Sequence, residues 1–251
     1  MTKELKEYLL KEEAHAFKGW DFSYLKDRWE NEKLSWNYNE FVKEYLKNDD
    51  ELLDMGTGGG ELLLSFKHPY NKTSVTEAYP PNIKLCQETL APLGIKVYPI
   101  LQDDILVNVA NDNYDVVLNH HESYLETEVK RVLKKNGLFI TQQVGAYNNL
   151  DLIRFFDEQH QIQFPDVTLD ASVKRLEALG FEILYKKEEY PKIKFYDLGA
   201  IAFFASIIKW EFIDFSVEKN LDKFEILDNI LKEKGYIEST EHRFMIIARK
   251  I

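Results

Sequence analysis

Glu51-Leu-Leu-Asp-Met-Gly-Thr-Gly-Gly-Gly-Glu61 reads as a short buried strand, a glycine-rich turn and the start of a helix. Leu52 and Leu53 lie in the strand, Asp54 stands near its carboxyl end, and Gly56, Gly58, Gly59 and Gly60 follow. Glycine lacks Cβ and tolerates positive φ, so this backbone can pass very close to a ligand. In open α/β sheets, nucleotides bind where a parallel strand ends and opens into a helix. A dinucleotide fingerprint needs a third glycine at the position held by Glu61, and a P-loop needs a lysine right after its glycines, whereas the nearest here is Lys67. What stands is Asp54-x-Gly56-x-Gly58-x-Gly60. Its acid would repel a pyrophosphate and suits a cationic amino-acid ligand. A plain glycine turn with no ligand is the alternative.

Working outward, Ser74-Val-Thr-Glu77 reads as a second strand ending in an acid, 23 residues past Asp54. That offset is close to the ~20 residues that separate the first turn from the ribose-binding acid of Rossmann-type units. A carboxylate can accept from both ribose hydroxyls, although a solvated loop acid would look the same. Lys96 to Leu101 is a third strand, followed by Gln102-Asp103-Asp104. Tyr114 to Leu118 is a fourth, ending in Asn119-His120-His121-Glu122. Gly137 to Gln142 is a fifth, after the turn Lys134-Lys-Asn-Gly137.

In this order, residues 50 to 145 resemble the class I S-adenosylmethionine-dependent methyltransferases. Asp54 to Gly60 looks like their first motif. Lys134 to Gln142 resembles their Pro-Gly-Gly-strand signature, with Asn136 where a glycine is usual. The start Gly19-Trp-Asp-Phe-Ser23 and the run Thr141-Gln-Gln-Val-Gly145 are similar to those of uncharacterised bacterial methyltransferase-like proteins. The resemblance implies S-adenosyl-L-methionine as cofactor, held by Asp54, Gly56, Thr57, Gly58 and Gly60. It puts Glu77 and Ala78 at the ribose, Asp103 (or Asp104) at the adenine amino group, and Asn119 at the end of the fourth strand.

The alternation of strands and helices predicts an α/β, Rossmann-like, doubly wound and mostly parallel sheet. The resemblance implies seven strands, the last of them antiparallel beside the fifth. One methyltransferase domain is expected over 1–251. It divides into an N-terminal helical cap (1–48), a cofactor-binding core (49–190), a helical lid insertion (191–235) and a final strand (236–251) built on His242 to Arg249. A helix is expected over Asp170 to Leu179 and a sixth strand over Phe181 to Tyr190. In the cap, Trp20, Phe22, Trp36 and Tyr38 either roof the cofactor or pin the segment to the core. Arg28 is expected to meet the methionine carboxylate, because its planar fork matches that group. Phe195 to Trp210 is apolar around most of its circumference, so it must be buried or cover something. A substrate lid, core packing and a homodimer contact all remain open.

Composition bounds the function. The 251 residues are 45% hydrophobic, enough for a sizeable core. A formal charge of −11 argues against a broad nucleic-acid surface, which draws its affinity from Lys and Arg, while leaving room for a local basic patch. Cys86 is the only cysteine, so no intrachain disulfide and no multi-cysteine zinc site can form, and a cytoplasmic setting is expected. The longest apolar run, Leu198 to Ile208, has 11 residues, against the ~20 that span a bilayer.

Methyl transfer from a sulfonium needs alignment above all. A base is needed only where the acceptor must lose a proton. His121, then His120 and Tyr124, are the candidates, beside Asn119 and Glu122; a polar loop capped by histidine is the structural alternative. No metal site is expected from adjacent histidines without a matching third ligand. The expected function is methyl transfer to a small or medium-sized acceptor. An RNA-modifying methyltransferase and a non-catalytic S-adenosylmethionine-binding module are the alternatives.

Overall fold

Strands at the centre of a parallel sheet are covered on both faces, so their sequences read as near-continuous apolar runs. The computed structural model describes residues 1–17, 22–100 and 107–251. Its elements are α1 (Lys3–Glu13), β1 (Trp29–Asn31), α2 (Tyr38–Tyr45), β2 (Leu52–Met55), α3 (Glu61–Ser65), β3 (Thr73–Glu77), α4 (Pro80–Thr89), β4 (Lys96–Pro99), β5 (Tyr114–His120) and α5 (Glu126–Val132). They continue with β6 (Leu133–Val144), α6 (Leu150–Phe156), α7 (Leu169–Ala178), β7 (Phe181–Glu189), β8 (Lys192–Phe195), α8 (Leu198–Ile207), α9 (Leu221–Lys234), β9 (Ile237–Thr240) and β10 (Arg243–Lys250). None of the described helices is long and apolar enough to cross a membrane. The chain forms two compact units.

The first unit comprises Ser35–Gly145, Asp166–Glu189 and Arg243–Ile251. It holds a seven-stranded sheet of order β4-β3-β2-β5-β6-β10-β7. The strands from β4 to β6 pair in parallel, and β10 runs antiparallel between β6 and β7. This is the expected mostly parallel sheet with its antiparallel last strand beside the fifth. Leu53, Val117, Phe139 and Ile246 join Val129 and Val132 of α5 and Val173 and Leu176 of α7 in its apolar core. The expected turn at Lys134–Gly137 lies inside β6. Tyr114 faces Leu133 while Val116 faces Leu138, so the extra residues bulge out of the ladder. Asn136 takes φ +66° there, a left-handed conformation that asparagine tolerates better than most residues.

The second unit comprises Met1–Leu34, Ala146–Pro165 and Tyr190–His242. An antiparallel sheet of order β1-β8-β9 and helices α1, α6, α8 and α9 surround its own core. Every residue of α8 from Leu198 to Ala205 is buried, among Leu9, Phe195, Phe212 and Phe224. Core packing therefore accounts for the apolar circumference of this helix. The expected boundaries shift accordingly. The 1–48 segment divides after Leu34, carries a strand besides its helices, and gives α2 to the sheet unit. The 236–251 segment also divides, with β9 in the small sheet and β10 in the large one. The sixth strand ends at Glu189, one residue short of Tyr190.

Gly199 marks where α1 meets α8. A Cβ there would lie 2.6 Å from Cζ of Tyr8 and 2.7 Å from Cγ of Glu12. Gly199→Ala should therefore lower stability by about 1–3 kcal/mol through overpacking, read as a drop in the denaturant midpoint. An unchanged midpoint would mean that α1 does not pack so closely here.

Candidate functional site

The order of the sheet reverses between β2 and β5, one half extending through β3 to β4 and the other through β6. In open α/β sheets the crevice at such a switch point, outside the carboxyl ends of the strands, is where ligands bind. Asp54 lies at the end of β2, Glu77 at the end of β3, and Asn119 near the end of β5, paired in register with Met55.

The glycine loop that follows β2 is held by the end of β3. The Gly56 amide donates to the carbonyl and hydroxyl oxygens of Thr76, both at 3.1 Å, and the Thr57 amide to the same carbonyl at 3.1 Å. The Gly58 amide donates to Oε2 of Glu77 at 2.8 Å. The amides of Ala78 and Tyr79 donate to Oε1 of Glu77, each at 2.9 Å. Glu77 is thus a buried carboxylate tying two chain segments together. A carboxylate has about four lone-pair sites, so acceptor capacity remains. Gly56, Gly58 and Gly60 have φ of +73°, +62° and +86°. A Cβ on Gly58 would meet nothing within 4 Å, which leaves open space against this backbone. A Cβ on Gly56 would lie 2.5 Å from Cβ of Glu122. The side chain of Glu122 therefore packs on the loop.

Asp54, Glu77 and Glu122 gather at this edge, and Asp54 and Glu122 resist ionisation. Burial pushes the Asp54 carboxyl up to about 6, the charge of Glu77 adds to the rise, and the Thr57 hydroxyl opposes it. Burial also raises Glu122, again with Glu77 adding, while its bonds from the Ser123 amide and hydroxyl oppose the rise. A cationic ligand would relieve both.

Beside the acids lies a polar network that the sequence did not reveal. Asn119 is fully buried; its amide donates to the Met55 carbonyl at 3.3 Å and its Oδ1 accepts from the Thr141 hydroxyl at 3.1 Å. The Gln143 amide nitrogen contacts Oδ1 of Asn119, the Thr141 hydroxyl and the Glu122 carbonyl. Gln142 accepts from the indole of Trp36 at 2.7 Å and sits 3.0 and 3.1 Å from the Nε2 atoms of His120 and His121. The two imidazoles stack at 4.0 Å, and the Tyr38 ring lies 4.7 Å from His120. His121 takes φ +60°, in the left-handed region, with its amide donating to the Gln142 carbonyl at 2.8 Å.

The remaining expected residues have partners of their own. Tyr124 packs edge-on against Phe139, 4.9 Å between ring centres, and burial raises its hydroxyl far from the range of a base. Arg28 belongs to the second unit. Its Nε and one terminal nitrogen bind Asp197 at 2.8 and 2.7 Å, and the other terminal nitrogen binds Glu12 at 2.9 Å. These two carboxylates already take the fork that was expected to meet a ligand. Trp36 and Tyr38 stand beside Gln142 and His120, anchored in the sheet unit. Asp103, Asp104 and Trp20 lie outside the described residues. Among the described residues, no group of three His, Cys, Asp or Glu side chains could hold a metal ion.

No family model matches the chain. A ribosomal protein L11 methyltransferase of Dictyoglomus thermophilum is 26% identical over 133 residues, 51% of this chain and 43% of that protein. The chain thus spans less than half the length of the curated relatives it matches. Among solved structures, a candidate methyltransferase of Bacillus halodurans C-125 superposes with a TM-score of 0.56 at 16% identity, over 85% of this chain and 98% of that one. A protein of unknown function from Deinococcus radiodurans R1 superposes with a TM-score of 0.57 at 12% identity, over 89% and 92%. The fold is the Rossmann-like methyltransferase fold.

Because Asp54 holds its proton more tightly in the folded chain than its ordinary value of 3.8, the folded state binds more protons than the unfolded one between about pH 4 and pH 6. Its contribution to stability is complete below about pH 4 and is lost as pH rises through about 6. Asp54→Asn should therefore match the parent near pH 4 and exceed it by on the order of 2–3 kcal/mol above pH 7. Chemical denaturation across that range checks it; a constant difference would show that Asp54 ionises normally.

Proposed function

We propose that this chain is an S-adenosylmethionine-dependent methyltransferase acting on a small or medium-sized acceptor. The observation that carries this reading is the buried Glu77 carboxylate, tied to the Gly58 amide beside open space at the end of a parallel strand. An acid in that place is suited to ribose hydroxyls, and a bare glycine backbone to close approach by the ligand. The bound cofactor would supply a methyl group on a positively charged sulfur, open to attack by a lone pair.

The chain's residues fit that group. The glycine loop from Gly56 to Gly60, with Thr57, would line the methionine end. Glu77, with Ala78 beside it, would accept from the ribose, and Asp103 or Asp104 from the adenine. Asn119, locked by Thr141 and Gln143, would hold the end of β5 at a fixed distance from the loop. Asp54 and Glu122, both reluctant to ionise without a counter-charge, would favour a cation. Arg28 is left out of this set because Asp197 and Glu12 occupy its fork. Catalysis would come mainly from alignment of the acceptor with the methyl group. The buried Cys86, a free thiol that donates to the Gly58 carbonyl at 3.2 Å, suits a reducing cytoplasm.

Calorimetry on the full chain tests the reading. S-adenosylmethionine and S-adenosylhomocysteine should bind, and NAD should not. Gly58→Val should keep the fold, since its side chain enters open space and the cost is the left-handed φ, about 1–2 kcal/mol. It should lose cofactor affinity by at least about tenfold, because that space is the ligand's. A folded Gly58→Val variant with unchanged affinity, or a chain that binds NAD and neither sulfur ligand, would overturn the proposal.

A further inference from the structure

Trp36, Gln142, His120 and His121 form one chain of hydrogen bonds in which the direction of each bond is dictated. The indole nitrogen of Trp36 carries a hydrogen and no lone pair, so it can only donate. The Gln142 atom 2.7 Å from it must therefore be the amide oxygen. That fixes the orientation of a buried amide. Its other end, the nitrogen, has two hydrogens and cannot accept. It stands 3.0 Å from Nε2 of His120 and 3.1 Å from Nε2 of His121. Two hydrogens meet two ring nitrogens, so both Nε2 atoms must be unprotonated acceptors. In a neutral imidazole with a bare Nε2, the proton is on Nδ1.

We infer that Gln142, oriented by Trp36, is a positioning residue that holds His120 and His121 as a pair of neutral Nδ1–H donors, and that the pair binds an oxygen atom of the acceptor substrate instead of removing its proton. The substrate class this selects carries a carbonyl or carboxylate oxygen near the atom that is methylated. The inference builds on the methyltransferase reading above for what the substrate is, but the hydrogen-bond directions are independent of it.

Three further observations agree. Among the described residues, no hydrogen bond to either Nδ1 is found, so a substrate that reaches the rings meets N–H groups. A proton added at Nε2 would point at the Gln142 amide hydrogens, and the groups around the pair discourage it too. Burial lowers His120 to about 4, with the Arg243 charge adding. His121, though exposed at the surface, is also lowered, by desolvation first, with His120 and Arg243 adding to this. Tyr38 from α2 faces His120 with its ring, Arg243 comes from β10, and Glu122 follows on the same loop. Finally, His121 keeps a left-handed backbone that most residues avoid, pinned by the Gln142 carbonyl. One residue thus fixes His121 through both its main chain and its side chain.

Nitrogen-15 NMR of the histidine rings in the ligand-free full chain reads the tautomers directly, with His120→Asn and His121→Asn variants to assign the signals. Near neutral pH both residues should show an unprotonated Nε2 and a protonated Nδ1. A protonated Nε2 on either ring would overturn the inference, and this result needs no folded variant of Gln142. Gln142→Glu would replace the donor by an acceptor. Both Nε2 atoms should then take up protons and the titration midpoints should rise by about 1–3 pH units. Unchanged tautomers and midpoints in that variant would also overturn it. For the substrate class, acetate is the probe for an oxygen acceptor and methylammonium for a cation. With S-adenosylhomocysteine present, acetate should shift both Nδ1 signals and methylammonium should leave them in place. A response to methylammonium alone, or to neither, would refute the oxygen-binding role. Failure of the chain to bind S-adenosylhomocysteine at all would strike the methyltransferase reading and leave the tautomer result standing.

Discussion

A single buried carboxylate organises the ligand-facing edge of the large sheet. Glu77 ends β3, yet its oxygens receive the amides of Gly58 across the crevice and of Ala78 and Tyr79 just beyond its own strand. Without it, the amide of Gly58 in the glycine loop and those of Ala78 and Tyr79 ahead of α4 would lose their partner. The loop that follows β2 is shaped by this bond and by the three bonds to Thr76. The position of the glycine backbone, and hence the space in front of Gly58, depends on an acid that also has capacity for a ligand. If Glu77 accepts from the cofactor as proposed, one side chain carries both a structural and a ligand-binding role. Truncating Glu77 would therefore disturb the loop as well as remove the proposed ligand contact.

The second constraint is polar satisfaction at the ends of β5 and β6. Thr141, Gln142 and Gln143 continue a strand whose preceding residues, Phe139 and Ile140, are wholly apolar and buried. Three buried polar side chains in a row are costly unless every group is paired. Here they pair with Asn119, Trp36 and the two histidines. Such a network leaves few alternative arrangements, so it fixes Asn119 and the histidine pair relative to the glycine loop. Rigid placement of this kind is what alignment-based catalysis demands.

The sheet and the glycine loop were legible because their determinants are local. A strand, a turn requiring positive φ and a strand-terminal acid each leave a mark within a few residues. The network was not legible, because Trp36 and Gln142 meet across 106 residues, and nothing local in Thr141-Gln-Gln says which way each amide points. The second unit was not legible as one body for a similar reason: its core is gathered from three distant segments. The circumference of α8 announced that it must be covered, but not by what. Arg28 shows the limit of matching by chemistry alone. Its fork does seek carboxylates, and it found Asp197 and Glu12 in its own unit. The bulge at Asn136 escaped because a polar tetrapeptide with glycine looks the same in a turn as in a strand that arcs outward.

The most direct measurement is a crystal structure of the full chain with S-adenosylhomocysteine bound. The ribose hydroxyls should lie on Glu77, the homocysteine end against Gly56 to Gly60 in the space before Gly58, and the sulfur facing the end of β5 near Asn119. A ligand seated away from the β2–β5 switch point, or one that leaves Glu77 and the glycine loop untouched, would contradict this placement.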